Sequence, residues 1–378
     1  MSRLNNNTQA FFELVRAGLW EKEARLEPFG EIYYTEIQRL AEEQAVVGLV
    51  VAGLERVADV KVPKLDLLQF IGQTLQIEQR NLAMNDFIAD LIIRMRKEGI
   101  YTLLVKGQGV AQCYERPAWR TSGDVDLLLS EDNYNKAKAF LLPLASNVEE
   151  EDAKRYHLGM TIEQWLVELH GTLHSSISPR INQVVDEAQS DIFYRGEVRS
   201  WMDHDTQVFL PSPNCDVIFI FTHFINHFYG EGIGLRQISD WCRVLWVFRD
   251  RIDAGLLEQR LKKAGLETEW KVFGCFAVEY LGMPEDAMPL LADKRRYSRK
   301  ASSLSKLIIE TGNLGQNKDN SYRGKYSRFK ENVITFFRRF KEFMRIGPIF
   351  PRNAVRFFIS YSMNRIKAMI SLLSTKNS

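Results

Sequence analysis

The sequence predicts an α/β protein in which a sheet domain lies between helical regions. From about residue 8 to 98, apolar residues recur at three- and four-residue steps, which is typical of amphipathic helices. Residues 100–105, 124–129 and 158–171 instead carry the short apolar runs of strands, and the helical pattern returns after Pro213. The changes of periodicity therefore predict helices, then strands with helices between them, then helices again.

Glycines and loop-forming residues mark the expected ends of individual elements. Gly99 follows a basic helical turn and is expected to stop the long N-terminal helix. Further helices are expected at residues 108–114, 132–142, 217–228, 236–248 and 256–280. The last two predicted helices, 331–344 and 353–373, follow polar and loop-forming stretches, so we expect them to be set off from the body.

Four regions are predicted along the chain. They are an N-terminal helical region (1–99), the α/β core (100–210), a helical region that closes a cleft (211–320) and a basic amphipathic helical tail (321–378). The net charge of the whole chain is only +2, but the tail holds 13 Lys and Arg against two Glu, a balance of +11. The rest of the chain therefore carries −9. Such a tail can pack on the acidic body, lie on an anionic membrane surface, or attract a phosphate-rich acceptor.

Composition excludes several classes of protein. With 378 residues, 45% of them apolar and 26% charged, the chain can bury a core, so disorder is not its main state. No apolar run is long enough to span a membrane and the start lacks a secretory pattern, so we expect a cytoplasmic protein that is at most peripheral at the membrane. The four cysteines are far apart and include no C-x-x-C pair, which argues against a disulfide scaffold or a zinc knot.

Two acidic residues carry the strongest chemical signal. Asp124 and Asp126 are two positions apart at the start of a predicted strand, so both carboxylates project from the same face. Oxygen ligands at this spacing can share hard divalent cations. A third carboxylate, Glu168, lies on a later predicted strand, followed by His170. The three carboxylates are therefore a candidate metal site.

A glycine turn precedes this acidic motif. Lys106, Gly107, Gln108 and Gly109 connect a predicted strand to a helix, where small residues let backbone N–H groups approach a phosphate. Either motif alone is common in ordinary turns. Their order along the chain, ending in Gly123 and the acidic strand, is more specific.

Histidines in the helical region form a weaker signal. His223 and His227 have the spacing of two zinc ligands on a helix, but no glutamate lies between them, which argues against a metalloprotease. We expect His223, Arg236 and Asp240 either to line the cleft opposite the sheet or to form hydrogen bonds between helices. His170 is interpreted as a residue behind the metal ligands.

Taken together, these motifs resemble the nucleotidyltransferase superfamily with the polymerase-beta-type fold. The sequence is most similar to a bacterial family of uncharacterised nucleotidyltransferases, whose pattern combines a K-G turn, an aromatic residue, an arginine, G-D-[IV]-D-L and an acidic-x-His strand. The matching residues here are Lys106-Gly107, Tyr114, Arg120, Gly123 to Leu127 and Glu168 to His170. The segment 223–240 and the Gly312 to Gly315 turn also look like that family. The superfamily's usual G-S or G-G turn is Gly107-Gln108 here.

This resemblance implies a fold and an activity. The fold would be a polymerase-beta-type core with a small mixed sheet, flanked by helical regions. Asp124, Asp126 and Glu168 would bind Mg²⁺ or Mn²⁺, and a nucleoside monophosphate would pass from an NTP such as ATP to an acceptor hydroxyl with release of pyrophosphate. Lys106 and Arg120 would neutralise phosphate charge, and Gly107, Gln108 and Gly123 would lie along the nucleotide.

The acceptor and the competing class of function stay open at this stage. A small molecule, a sugar, RNA or a protein side chain would each supply the hydroxyl. The alternative is a non-catalytic protein that keeps the fold and uses its cleft to bind a nucleotide or partner. Three clustered carboxylates argue against that alternative, because uncompensated negative charge is costly without a cation.

Overall fold

The computed structural model describes residues 4–175, 177–291, 293–317, 325 and 328–374, without the side chains at 328, 329, 332 and 364–374. Helices form its N-terminal region and a sheet follows. The first helices are α1 (Asn6–Trp20), α2 (Tyr34–Glu43), α3 (Val47–Leu54) and α4 (Lys64–Lys97). Helix α4 ends where predicted, since Gly99 has a positive φ of 68° that other residues adopt at a cost.

The central sheet has five strands of mixed direction. In chain order, its region contains β1 (Leu103–Val105), α5 (Gly107–Ala111), β2 (Asp124–Leu128), α6 (Glu131–Leu141), β3 (Ala145–Val148), β4 (His157–Ile162) and β5 (Trp165–His170). The strand order is β1-β2-β5-β4-β3. Only β2 and β5 run parallel, with Asp126 opposite Glu168, and the other neighbours are antiparallel. This arrangement confirms the predicted fold class of a small mixed sheet flanked by helices.

A second part of the chain returns to helices after a hairpin. It comprises α7 (Pro179–Arg195), β6 (Val198–Asp203), β7 (Thr206–Pro211), α8 (Pro213–Gly230), α9 (Leu235–Val247), α10 (Ala254–Ala264), α11 (Glu267–Leu281), α12 (Lys294–Thr311), α13 (Arg328–Ile346) and α14 (Pro351–Ser374). The prediction of a single helix over residues 256–280 is wrong. Gly265 adopts φ 72° and ends α10, so two helices stand there instead of one.

Two hydrophobic cores hold these layers together. The sheet packs on the second half of α4 through side chains such as Met84, Phe87 and Leu91. A larger helical core joins α1 with helices from the second half of the chain. For example, the Phe12 ring meets Phe276 of α11 edge-on at 6.2 Å. The N-terminal region therefore contributes to both cores, and the proposed four-part division of the chain stays a prediction.

The last two helices are not set off from the body, contrary to the prediction. Phe350, in the connection between them, stacks on Phe273 of α11 at 6.0 Å, and Phe357 of α14 packs on Tyr229 of α8 at 4.4 Å. Burying these rings removes large apolar surfaces from water, which outweighs the polar character of the preceding residues. The predicted border at residue 321 lies outside the described residues.

None of the helices in the described part of the chain is long and apolar enough to cross a membrane.

Candidate active site

Three carboxylates meet on one face of the central sheet. Asp124 and Asp126 are two positions apart on β2 and therefore share one face of the sheet. The parallel register sets Glu168 of β5 beside Asp126. One oxygen from each of the three residues lies within 4.8 Å of the others. Asp126 is buried, with 2% of its surface exposed, whereas the other two are half-buried. Hard cations such as Mg²⁺ bind oxygen ligands in this arrangement, so the donor set fits the expected metal.

Lys106 lies inside this cluster. It follows β1, and its Nζ donates a hydrogen bond to Asp126 Oδ1 at 2.7 Å. Its backbone has a positive φ of 57°, which costs a non-glycine residue about 1–3 kcal/mol. Strain of this kind persists only where the surrounding structure holds it. Here the strained backbone directs the ammonium group toward the carboxylates.

Charge interactions separate the acidities of the two aspartates. The charge of Asp126, together with burial, raises the pKa of Asp124. Burial also opposes ionisation of Asp126, but the Lys106 ammonium and the hydrogen bond from His170 hold the pKa of Asp126 below its usual value. Burial opposes the charged form of His170, but its hydrogen bonds to Asp126 and Glu168 raise its pKa. Lys106 and a protonated His170 are still outnumbered by the three carboxylates, so a divalent cation is electrostatically favoured there.

Two histidines continue the cluster toward β4. His170 Nε2 lies 2.8 Å from Asp126 Oδ1 and 3.4 Å from Glu168 Oε2, while His157 Nε2 lies 3.2 Å from that same Glu168 oxygen. Burial disfavours the charged form of Glu168, yet these hydrogen bonds hold its pKa well below the usual range. The imidazoles thus keep Glu168 ionised and oriented, and with it they form a second group of ligand atoms within 4.8 Å.

His157 was not among the residues selected from the sequence. A usable signal existed, because β4 and β5 form a hairpin whose two-residue turn follows Ile162, opposite Trp165. Counting outward from that turn pairs His157 with His170, and their ring centroids are 4.9 Å apart. The hairpin register would therefore have identified the second histidine.

Helices α8 and α9 form the opposite wall of a cleft of about 520 Å³. His223 and His227 face it from α8, with their Nε2 atoms 3.2 Å apart. Burial, with the nearby Lys106 charge, lowers the pKa of His223 well below its usual value, so that ring is neutral at neutral pH. A neutral imidazole can donate to or accept from a ligand without adding charge. Clefts of this volume accommodate ligands of nucleotide size.

Arg120 and Asp240 form a buried ion pair between the two walls. Arg120 donates from Nε and Nη2 to the two oxygens of Asp240, each at 2.7 Å, and its Nη1 donates to Ser122 Oγ. Tyr114 donates its hydroxyl hydrogen to the same carboxylate at 2.7 Å. Arg120 therefore reaches the cleft with most of its donors engaged, and its geometry is that of a connection between the sheet domain and α9.

Arg236 offers a freer guanidinium. It donates from Nη1 to the backbone oxygen of Thr121 at 3.1 Å. Its Nε is buried and lacks a hydrogen-bond partner within the described ranges, and burial together with the Arg120 charge lowers its pKa. Because a buried donor without a partner is costly, Arg236 is suited to an anion in the cleft.

The residues of the glycine turn differ in their access to the cleft. Gly107 has a positive φ of 36° and lines the cleft beside Lys106. The Gln108 side chain turns away, since its Nε2 donates to Asn81 Oδ1 on α4 at 3.0 Å. Gly123 precedes β2, and a side chain there would have space, because among the described residues no atom beyond its chain neighbours lies within 4 Å of an added Cβ. The Gln108 side chain is therefore not available to a phosphate in the cleft, and of these three residues only Gly107 lines it.

Comparison with known proteins agrees with this geometry. A search of curated proteins found no match to the chain, and a search of solved structures found none either. A protein-family model described as "Uncharacterised nucleotidyltransferase" matches residues 31–282, about two thirds of the chain. The match includes the three carboxylates, Lys106 and the wall formed by α8 and α9. The chain therefore belongs to this family of uncharacterised nucleotidyltransferases.

Proposed function

We propose that this protein is a metal-dependent nucleotidyltransferase that moves a nucleoside monophosphate from an NTP to an acceptor hydroxyl. The observation that carries the proposal is the meeting of Asp124, Asp126 and Glu168 within 4.8 Å, next to a cleft of nucleotide size. Family membership supports nucleotidyl transfer in general. The nucleotide, the metal and the acceptor are parts of the proposal.

The carboxylates would hold Mg²⁺ or Mn²⁺. Asp126 supplies a buried oxygen, and Asp124 and Glu168 supply half-buried oxygens on the side that faces the cleft. When bound, such ions neutralise phosphate charge and make the attacking hydroxyl more acidic. Carboxylate oxygens suit Mn²⁺ as well as Mg²⁺, so Mn²⁺ is expected to be an effective substitute at the three carboxylates.

Basic side chains would bind the triphosphate. Lys106 lies at the acidic cluster and Arg236 lines the opposite wall, so the phosphates are expected to bridge the two walls. The Gly107 backbone allows close approach at the same end. His223, being neutral, would hydrogen-bond the nucleotide or the acceptor without adding to the charge.

The proposed transfer step uses these positions. The acceptor oxygen forms a bond to the α-phosphorus while the bond between that phosphorus and the bridging oxygen of the β-phosphate breaks, so pyrophosphate leaves with the bonding electrons. The hydroxyl proton passes to the ionised carboxylate of Glu168. The low pKa of Glu168 means that this carboxylate is available as an acceptor at neutral pH, although it is only a weak base.

Calorimetric titration with Mg-ATP and Mg-CTP tests the proposal. Wild-type protein should bind ATP or CTP when Mg²⁺ is present and should not bind it when Mg²⁺ is left out. The Asp124→Asn/Asp126→Asn variant should bind neither nucleotide. Asp86→Asn/Asp250→Asn is the matched control, because it removes two exposed carboxylates. Pyrophosphate release measured with candidate acceptors then separates an enzyme from the non-catalytic alternative.

Binding that needs no metal, or that survives loss of both aspartates, would refute the assignment of the site.

A further inference from the structure

Helix α13 exposes an apolar stripe to solvent. Val333, Phe337, Phe340 and Met344 recur at three- and four-residue steps on it, and all four are exposed. Phe337 and Met344 expose the most, 65% and 62% of their surfaces. Single exposed apolar residues are ordinary, but a continuous row of large ones on one face indicates a binding surface.

Helix α14 carries a second apolar stripe and packs against α13, which holds the first stripe in place. Its exposed residues Val355, Ile359 and Met363 are spaced four positions apart, so they share one helix face. The ring of Phe358 meets Phe343 of α13 at 5.2 Å. The two helices are thus packed on each other and, through Phe350, on the body, so the exposed stripes belong to a rigid unit.

Basic side chains lie on the same two helices. Lys341 and Arg352 are exposed, and α13 also carries Lys330 and Arg345, of which Arg345 forms an ion pair with Glu310. From residue 321 onward the chain has 13 Lys and Arg against two Glu. Helices with aromatic and aliphatic residues on one face and Lys and Arg beside them bind at the interface of anionic membranes.

We propose that α13 and α14 bind the surface of an anionic lipid bilayer. The apolar stripes would enter the boundary between headgroups and acyl chains, about 5–10 Å deep, and the basic residues would contact lipid phosphates. A single-stranded RNA would bind the basic side chains through its phosphates and could stack its bases on phenylalanine. The aliphatic side chains of Val333, Ile359 and Met363 would make neither interaction. A second copy of the chain would bring two surfaces of like charge together.

Vesicle flotation with the full chain tests this inference. Vesicles of phosphatidylcholine alone are compared with vesicles of equal parts phosphatidylcholine and phosphatidylglycerol, without nucleotide or metal, so the outcome is independent of the proposed activity. Binding should require the anionic lipid and weaken steeply between low and physiological salt, about 0.15 M. Lys341→Gln and Arg352→Gln should each reduce partitioning about fivefold at low salt.

Two charge-matched variants separate the stripe from general stickiness. Phe337→Asp/Met344→Asp should abolish flotation without lowering the melting temperature, because both side chains are exposed. Leu65→Asp/Leu68→Asp introduces the same charges at exposed leucines of α4 and should float as the wild type does. Equal binding to both vesicle types, or binding kept by Phe337→Asp/Met344→Asp, overturns the proposal. So does a dimer, or a complex with a poly-uridine probe, that forms in place of vesicle binding and depends on the same stripe.

Discussion

The ammonium nitrogen of Lys106 donates a hydrogen bond to Asp126 Oδ1 at 2.7 Å, inside a cluster of three carboxylates. The lysine thus lies where a metal-binding site would place positive charge. It offsets part of the repulsion between the acidic residues, and its strained backbone shows that the surrounding structure enforces this position. The stability of the metal-free protein should therefore depend on Lys106.

Lys106→Met is expected to destabilise the metal-free protein by about 3 kcal/mol, because the buried Asp126 carboxylate loses the lysine with which it is paired. Urea unfolding measures the change, with the exposed Lys136→Met as control. Adding Mg²⁺ or Mn²⁺ should recover part of the loss, since the cation replaces the missing charge. An identical loss with and without metal would mean that Lys106 supports the fold by packing alone.

His157→Ala is expected to lower the affinity for Mn²⁺ about tenfold, since removing groups that orient metal ligands commonly has effects of this size. The reason is the contact of His157 Nε2 with Glu168 Oε2 at 3.2 Å. Electron paramagnetic resonance of free Mn²⁺ gives the affinity directly. His204→Ala removes an exposed imidazole and should leave it unchanged. Unaltered affinity in His157→Ala would exclude the histidine from the site.

Asp240→Asn is expected to cost about 3–5 kcal/mol of stability, because the buried Arg120 guanidinium then lacks its counter-charge. The double variant Arg120→Met/Asp240→Asn should be less destabilised than the sum of Arg120→Met and Asp240→Asn alone, as a double-mutant cycle by urea unfolding will show. Additive effects would contradict a direct pair. Nucleotide affinity of the double variant then reports whether Arg120 also contacts phosphate.

Phe350→Ala should lower the free energy of unfolding by about 3–5 kcal/mol, as expected for a fully buried ring. Phe337→Ala, at an exposed ring of the same C-terminal region, should change it by less than about 0.5 kcal/mol. Thermal and urea unfolding compare the two. Similar effects at both positions would mean that the C-terminal helices do not pack on the body as described.

Local patterns in the sequence predicted an α/β region between helices and the acidic strand, and the family resemblance added the small mixed sheet. Alternation placed Asp124 and Asp126 on one face, and the apolar runs located the strands that carry them and Glu168. Local sequence patterns do not indicate which residues far apart in the chain come into contact. The partner of Arg120 is 120 positions away, and nothing near either residue indicates that they pair. His157 was missed because its role depends on hairpin register, and Gly265 was passed over because apolar periodicity continues on both sides of it.

Helix α8 connects the cleft to the C-terminal helices through a single rigid element. His223 faces the cleft, and Tyr229, about 9 Å further along the axis, donates its hydroxyl hydrogen to Glu269, which also accepts from Asn353 of α14. No loop lies between the two points. An enzyme held at a surface by α13 and α14 would therefore present its cleft at one fixed height and tilt, and would select acceptors by their distance from that surface as well as by their chemistry.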